Sequence, residues 1–264
     1  MNATTLSPAT PSSTLRALLG FSIGLLMCLA AAAALETRLL DGANVWLKPA
    51  KFALSFVVLY ATLVWVVERL SPRVQARRLL RYTLMAMVLA TWTEMAYIAG
   101  RAGLGQASHF AVATPVQALM YTLMGVGAVT LVVGIAVIGW LAGNDVEGRL
   151  SPAMREGVRW GFGLSSVLTL LTAGYLSSHG GHFVGVPAPG AAVIPGLGWS
   201  AEVGDLRPAH FLALHAMQAV PMVAWMRDRR GTSPKAVKAL AIVYALITLA
   251  VFAQALIGEP LIRL

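Results

Sequence analysis

Apolar residues are concentrated in seven long runs along the chain, and shorter polar segments separate these runs. Each run has about the twenty residues that an α-helix needs to cross the hydrocarbon core of a bilayer. A helix also satisfies its own backbone hydrogen bonds, which an irregular segment facing lipid cannot do. The pattern therefore predicts an all-α integral membrane protein with a bundle of seven transmembrane helices. The predicted helices span residues 17–35, 49–69, 82–100, 116–142, 160–178, 208–226 and 236–258.

The first 14 residues differ from the rest of the chain, because they are rich in Ser, Thr and Pro and carry no charge. We predict a disordered N-terminal lead at 1–14 and one seven-helix transmembrane domain at 15–264. Residues 28–34 have the small side chains of a signal-peptidase site, but their apolar run is longer than a usual signal core. We therefore expect the first helix to be retained. The spacing of its Gly20 and Gly24 predicts a close approach by another helix.

Proline marks the start of most predicted helices. Ser-Pro pairs at 71–72, 151–152 and 233–234 precede helices three, five and seven. Serine is favoured at the N-cap and proline in the first turn, so these pairs predict where the helices begin. Helices two, four and six also begin at a proline, which is consistent with three related hairpins. Proline is also common in the first turn of unrelated helices, and this is the simpler interpretation.

Only 12% of the 264 residues are charged, whereas the share in soluble domains is about 25%. The net charge of +9 comes mainly from Lys and Arg in the turns after helices two, four and six. Basic residues in short loops mark the cytoplasmic side, so we predict a cytoplasmic N-terminus and an extracytoplasmic C-terminus. This distribution explains the charge without nucleic acid. The expected partner is the lipid bilayer of a bacterial cytoplasmic membrane. Cys28 is the single cysteine, so no intrachain disulfide can form.

All five histidines fall at the predicted extracytoplasmic end, where we treat them as candidate metal ligands. They are His109 after helix three, His179 and His182 at the end of helix five, and His210 and His215 in helix six. A structural histidine could occur at either end, so their segregation indicates a shared site. Imidazole ligates both transition metals and haem.

The spacing of the histidines limits how they could bind a metal. His210 and His215 lie about 140° apart around a helix and cannot bind one small ion by themselves. The two glycines between His179 and His182 favour a helix end there, which weakens any zinc signature.

Two acids are candidates for catalysis or proton handling. Glu94 lies inside predicted helix three, on one face with Thr91, Tyr97 and Arg101. Ionisable groups inside a membrane are costly and are usually functional, although a protonated Glu94 in a structural hydrogen bond is an equal alternative. Asp205 directly precedes helix six.

Four further polar residues are candidates for binding an anionic ligand or the propionates of a haem. They are Lys51, Arg101, Arg207 and Gln218. Arg and Lys recognise carboxylates through charge-assisted hydrogen bonds. The alternative for the lysines near helix two is that they extend to the lipid headgroups.

The segment from 183 to 204 is long, apolar and rich in Gly and Pro. Connections of this length are usually lids or disordered. We expect a flap over the mouth of the bundle, with Trp199 at headgroup level.

Three functions fit these residues. The first is a redox protein that binds haem b or a transition metal through the histidines. The second is a proton-coupled small-molecule transporter that uses Glu94 and a helix six kinked at Pro221. The third is a membrane-embedded hydrolase with metal-bound water, in which Glu94 or Asp205 acts as the base.

Overall fold

The computed structural model describes residues 10–40, 42–110, 112–228 and 233–264. These residues are mostly helical, in agreement with the predicted all-α class. They form eight helices: α1 Pro11–Leu35, α2 Leu47–Val67, α3 Pro72–Gln75, α4 Arg78–Gly103, α5 Pro115–Asn144, α6 Pro152–His179, α7 Arg207–Asp228 and α8 Pro234–Leu256. Two short antiparallel pairs complete the described part: β1 Leu39–Leu40 with β2 Ala43–Asn44, and β3 Phe183–Val184 with β4 Gly204–Asp205.

Each of the seven predicted segments lies on one of the seven long helices. Among the described residues, four helices are long and apolar enough to cross a membrane, namely α1, α2, α5 and α8. These four give the chain the character of an integral membrane protein. Helices α4, α6 and α7 are also long, but their polar residues lower their mean hydropathy.

Hydroxyl N-caps start several helices, as the Ser-Pro pairs predicted. The side chains of Ser71, Ser151 and Ser233 each accept a hydrogen bond from the backbone N–H three residues later, at 3.1–3.3 Å. Ser151 and Ser233 start the long helices α6 and α8. Ser71 instead starts the four-residue α3, because the backbone of Arg77 is extended and delays α4 to Arg78.

The first helix begins earlier than predicted. Thr10 is its N-cap and accepts a hydrogen bond from the Ser13 N–H at 3.1 Å, with Pro11 in the first turn. A Thr-Pro pair therefore acts here as the Ser-Pro pairs do elsewhere, and α1 starts at residue 11 instead of 17. The rest of the predicted disordered lead, residues 1–9, lies outside the described residues.

The chain divides into two compact units. The first unit runs to Gly134 and includes residues 147–149, so it holds α1 to α4 and most of α5. The second holds residues 135–146 and 150–264, with the end of α5 and α6 to α8. The single domain predicted at 15–264 stays a prediction.

In the first unit, α1 and α2 run antiparallel and ion pairs mark both ends. Arg16 near the start of α1 pairs with Glu68 just after α2, at 2.6 Å. Arg38, after α1, pairs with Glu36 at 2.8 Å and donates to the carbonyl oxygen of Gly103 at the end of α4. Hydrogen bonds from Arg38 hold the pKa of the partly exposed Glu36 carboxyl below its usual value. The three helices therefore alternate in direction within this unit.

In the second unit, α6 and α7 approach each other closely through two glycines of α6. A Cβ added at Gly161 would lie 2.7 Å from Cδ of Pro221 and 2.8 Å from the carbonyl oxygen of Ala216. A Cβ at Gly157 would lie 2.8 Å from Cβ of Ala224. Such small-xxx-small pairs allow helix backbones to approach in membranes. By contrast, no described atom lies within 4 Å of a Cβ placed at Gly20 or Gly24, where the close approach was predicted.

The start of α7 and the end of α8 share a small apolar core. Leu206, Ala209, Phe252 and Ala255 are buried together there. Gly204 in β4 lies directly against the backbone of Ala255, where no side chain would fit. The segment that leads into α7 is therefore fixed on the end of α8.

We expect the Gly161→Ala substitution to destabilise the protein by about 1–3 kcal/mol, because the added methyl group overpacks the contact with Pro221. A thermal-denaturation midpoint in detergent should fall accordingly. Gly163→Ala is the matched control, since nothing lies within 4 Å of a Cβ at that position and alanine favours the helix. Equal midpoints for the two variants would contradict the close-contact interpretation.

Candidate functional site

Glu94 lies in the interior of the first unit, with only 5% of its surface exposed. Thr91, one turn earlier on α4, is also buried and hydrogen-bonds to the hydroxyl of the fully buried Tyr60 on α2. On the other side, Gly127 of α5 makes room for the acid: a Cβ there would lie 2.8 Å from Glu94 Oε1. The predicted shared face of Thr91 and Glu94 is therefore the buried face of α4.

No described residue hydrogen-bonds to the Glu94 carboxyl or forms an ion pair with it, although its neighbours Tyr60 and Thr91 bond to each other. An ionised carboxylate in such a place costs on the order of several kcal/mol, because water is removed and no counter-charge replaces it. The group therefore needs a bound proton or cation to be neutral. This is the strongest chemical feature of the first unit.

Asp205 and Arg207, predicted as a catalytic acid and an anion-binding residue, bind each other. Two nitrogens of Arg207 lie 2.6 and 2.9 Å from the Asp205 carboxylate. The carboxylate is buried and also accepts the backbone N–H groups of Ser200 and Arg207, at 2.8 and 3.0 Å. Arg207 donates to the Gly198 carbonyl oxygen as well, at 2.7 Å. These bonds support a structural role, in which the pair fastens the 183–204 segment to the start of α7.

The 183–204 segment is folded, not an irregular lid. Strands β3 and β4 pair at its base, and Val193 pairs with Ser200 nearer its tip. Glu202 accepts the Ala188 N–H at 3.0 Å. Trp199 rests edge-on against Phe211 of α7, with ring centroids 5.6 Å apart. The segment is thus a double hairpin held against the first turns of α7.

The four histidines of the second unit each have a distinct neighbour. His179 bonds through Nε2 to the Phe183 carbonyl oxygen at 2.9 Å, and His210 lies 3.3 Å from the Thr172 hydroxyl. The His215 Nδ1 lies 3.2 Å from Oε1 of Gln218, so these two predicted site residues meet. His182 follows the end of α6, and its carbonyl oxygen accepts the Leu206 N–H. The left-handed Gly180, with φ 73°, ends α6, as the sequence predicted.

The remaining predicted site residues belong to the first unit. His109 lies beside the Ser108 hydroxyl at 3.0 Å and packs near Phe52. Arg101 donates to the Ala107 carbonyl oxygen at 2.9 Å, and Lys51 is exposed. Among the described residues, no three His, Cys, Asp or Glu side chains come together in a way that could hold a metal ion.

Sequence reasoning missed two residues of the Glu94 environment. Tyr60 is separated by 31 positions from Thr91, and no spacing rule connects residues on different helices. Gly127 lies in a glycine-rich stretch of α5, where Gly125 and Gly134 are equally visible in the sequence. Only packing distinguishes the glycine that contacts the acid.

The chain matches no protein-family model, no curated protein and no solved structure.

The Asp205→Asn substitution should loosen the 183–204 segment by about 1–3 kcal/mol, because the half-buried Arg207 loses its ionic partner. Hydrogen–deuterium exchange of peptides from this segment measures the effect. Glu202→Gln is the control, since an amide oxygen can still accept from the Ala188 N–H. If both variants exchange like the unsubstituted protein, the pair does not hold the segment.

Proposed function

We propose that this chain is a proton-coupled carrier of a small molecule, in which Glu94 binds and releases the proton. The observation that carries the proposal is the buried Glu94 carboxyl, to which no described residue hydrogen-bonds. Acids inside membrane proteins commonly mark proton or ion pathways.

The surroundings of Glu94 support this role over a purely structural one. A structural acid is expected to have a hydrogen-bond partner, because an unsatisfied polar group in hydrocarbon is costly. The hydroxyls of Tyr60 and Thr91 are bonded to each other one turn away and are polar groups through which a proton can move toward the acid. Gly127 keeps open the space that the carboxyl occupies.

The carrier needs all seven long helices to span the membrane. Helices α4, α6 and α7 have 26, 28 and 22 residues, enough to cross the hydrocarbon. Polar side chains of α4 and α6 are buried, such as Thr91, Ser165 and Thr172, whereas their exposed side chains include Leu89 and Leu170. Buried polar side chains and exposed apolar ones explain the lower mean hydropathy of α4 and α6, and this arrangement is expected of helices that face lipid.

The proposed topology has the N-terminus in the cytoplasm and the C-terminus outside. It is supported by the cluster of Arg16, Glu68, Arg69 and Arg149, which lies at one end of the first unit. Residues 229–232, part of the basic turn after α7, lie outside the described residues. Cysteine labelling from each side of the membrane, in a chain with Cys28 replaced, tests the topology. In this topology the loop between α4 and α5 lies outside, so a cysteine placed at Gln106 that is labelled only from the cytoplasmic side would contradict it.

Binding of haem b or a transition metal by the histidines stays a prediction. A haem needs only two axial ligands. His210 and His215 lie about 140° apart around α7, so either one would need a second ligand from another helix. The absorbance spectrum of the purified protein tests this alternative, since a Soret band lost on substitution of His210 or His215 would favour it. The hydrolase is less well supported, because the Asp205 carboxylate is occupied by Arg207 and two backbone N–H groups.

We expect Glu94→Gln to abolish proton movement, because the amide is nearly the same size but cannot take up a proton at neutral pH. Liposomes containing the protein and a trapped pH-sensitive dye would be given a panel of amino acids, carboxylates, amines and sugars. At least one compound should change the internal pH with the unsubstituted protein, and none with the variant. An active Glu94→Gln variant, or an unsubstituted protein that responds to no compound, would refute the proposal.

Gly127→Ala should reduce the same proton flux, because the added Cβ would lie 2.8 Å from Glu94 Oε1 and displace the carboxyl. The matched control is Gly125→Ala on the same helix, where nothing lies within 4 Å of the new Cβ. Comparable flux in both alanine variants would mean that the space around the acid is unimportant.

A further inference from the structure

An open groove of about 450 Å³ lies between α1 and α4 in the first unit. Its volume is within the range of about 300–1,000 Å³ found for small-molecule sites. Its floor is apolar and includes Leu84, Val88 and Trp92 of α4. Pro11 and Thr14 of α1 line it near one end.

The two ends of the groove differ in chemistry. Along α4, the residues that line it begin with the charged Arg81 and finish with the aromatic Trp92. Trp92 packs against Phe21 of α1 with ring centroids 4.0 Å apart, so an aromatic pair closes the Trp92 end of the groove. The 11 helical steps between Arg81 and Trp92 correspond to about 16 Å. This is about half of the 30 Å thickness of the hydrocarbon, or one leaflet.

The Arg81 end of the groove carries a positive charge that no described acid neutralises. Arg81 is exposed, and no described acid forms an ion pair with it. Two other arginines of this end have acidic partners: Arg16 bonds to Glu68, and Arg73 lies 3.6 Å from Glu147. Arg77 and Arg78 form no described ion pair either, but they do not line the groove. An apolar groove as long as one leaflet, with the Arg81 guanidinium at one end, matches an anionic phospholipid in both shape and charge.

We propose that this groove binds one anionic phospholipid of the cytoplasmic leaflet. Its phosphate meets Arg81, and an acyl chain lies along Leu84, Val88 and Trp92. The choice of leaflet rests on the proposed topology, whereas the binding itself is independent of proton transport by Glu94.

Native mass spectrometry tests the proposal on the full chain, after reconstitution with phosphatidylglycerol or phosphatidylcholine and extraction into detergent. We expect the protein to retain one phosphatidylglycerol and much less phosphatidylcholine. Arg81→Gln should lower the retention of phosphatidylglycerol about fivefold, the effect of one basic residue at an anionic membrane surface. Arg78→Gln is the matched control, because it removes the same charge one turn earlier on α4 from a residue outside the groove lining.

A second variant tests the apolar part of the site. Val88→Trp fills the groove and should expel the bound lipid while Arg81 remains in place. Equal retention of lipid by Arg81→Gln and Arg78→Gln, or equal retention of the two lipids, would overturn the proposal. A lipid-free dimer that Val88→Trp dissociates would assign the groove to a second copy of the chain instead. If lipid retention follows the expected pattern while proton flux is absent, the lipid site stands and the carrier proposal fails.

Discussion

Polar side chains inside hydrocarbon have no water to bond with, and this constraint determines where the polar groups of the chain lie. Hydroxyls of Thr62, Thr122 and Thr248 donate to carbonyl oxygens one turn earlier on their own helices. Ser165 and Tyr244 donate across helices, to carbonyl oxygens of α7 at 2.8 and 2.7 Å. Each of these hydroxyls thus has a partner in the protein. The buried Glu94 carboxyl departs from this pattern, as does the buried Thr169 hydroxyl, but only the carboxyl can carry a charge, and this is why we give it a functional role.

The same constraint explains the use of glycine. Helices in a membrane gain little from burying apolar side chains away from lipid, so they associate through close packing. On α5, Gly127 and Gly134 are seven residues apart and face Glu94 and Met87, which are seven residues apart on α4. A Cβ at Gly134 would lie 2.5 Å from the Met87 sulfur. Glycine therefore accommodates a polar and an apolar side chain along a single helix face.

The sequence predicted the long helices well, because twenty apolar residues have few other structures available in a bilayer. It also predicted the end of α6 at the glycines after His179, since a left-handed backbone favours glycine. It did not predict that Asp205 and Arg207 would bind each other, although they are two residues apart. The turn geometry that brings them together depends on hydrogen bonds to Ser200 and Gly198. Contacts set by loop folding leave no periodic signal.

The sequence also did not predict which helices pack closely against each other. The small-xxx-small spacing occurs at Gly20 and Gly24 and again at Gly157 and Gly161, yet of these two pairs only the second makes close contacts among the described residues. The difference lies in Pro221 on α7, whose ring occupies the space that the α6 glycines leave. A local pattern can show that a helix permits close approach, but the partner surface decides whether it happens.

The double hairpin between α6 and α7 has a consequence for variation of the chain. Its two ends are joined by the pairing of β3 with β4, so its closure does not depend on the residues at the tip. Extending a loop whose base is already fixed costs little additional entropy. Residues between 186 and 197 are largely exposed and are therefore where insertions, sequence divergence or an added epitope should disturb the helices least.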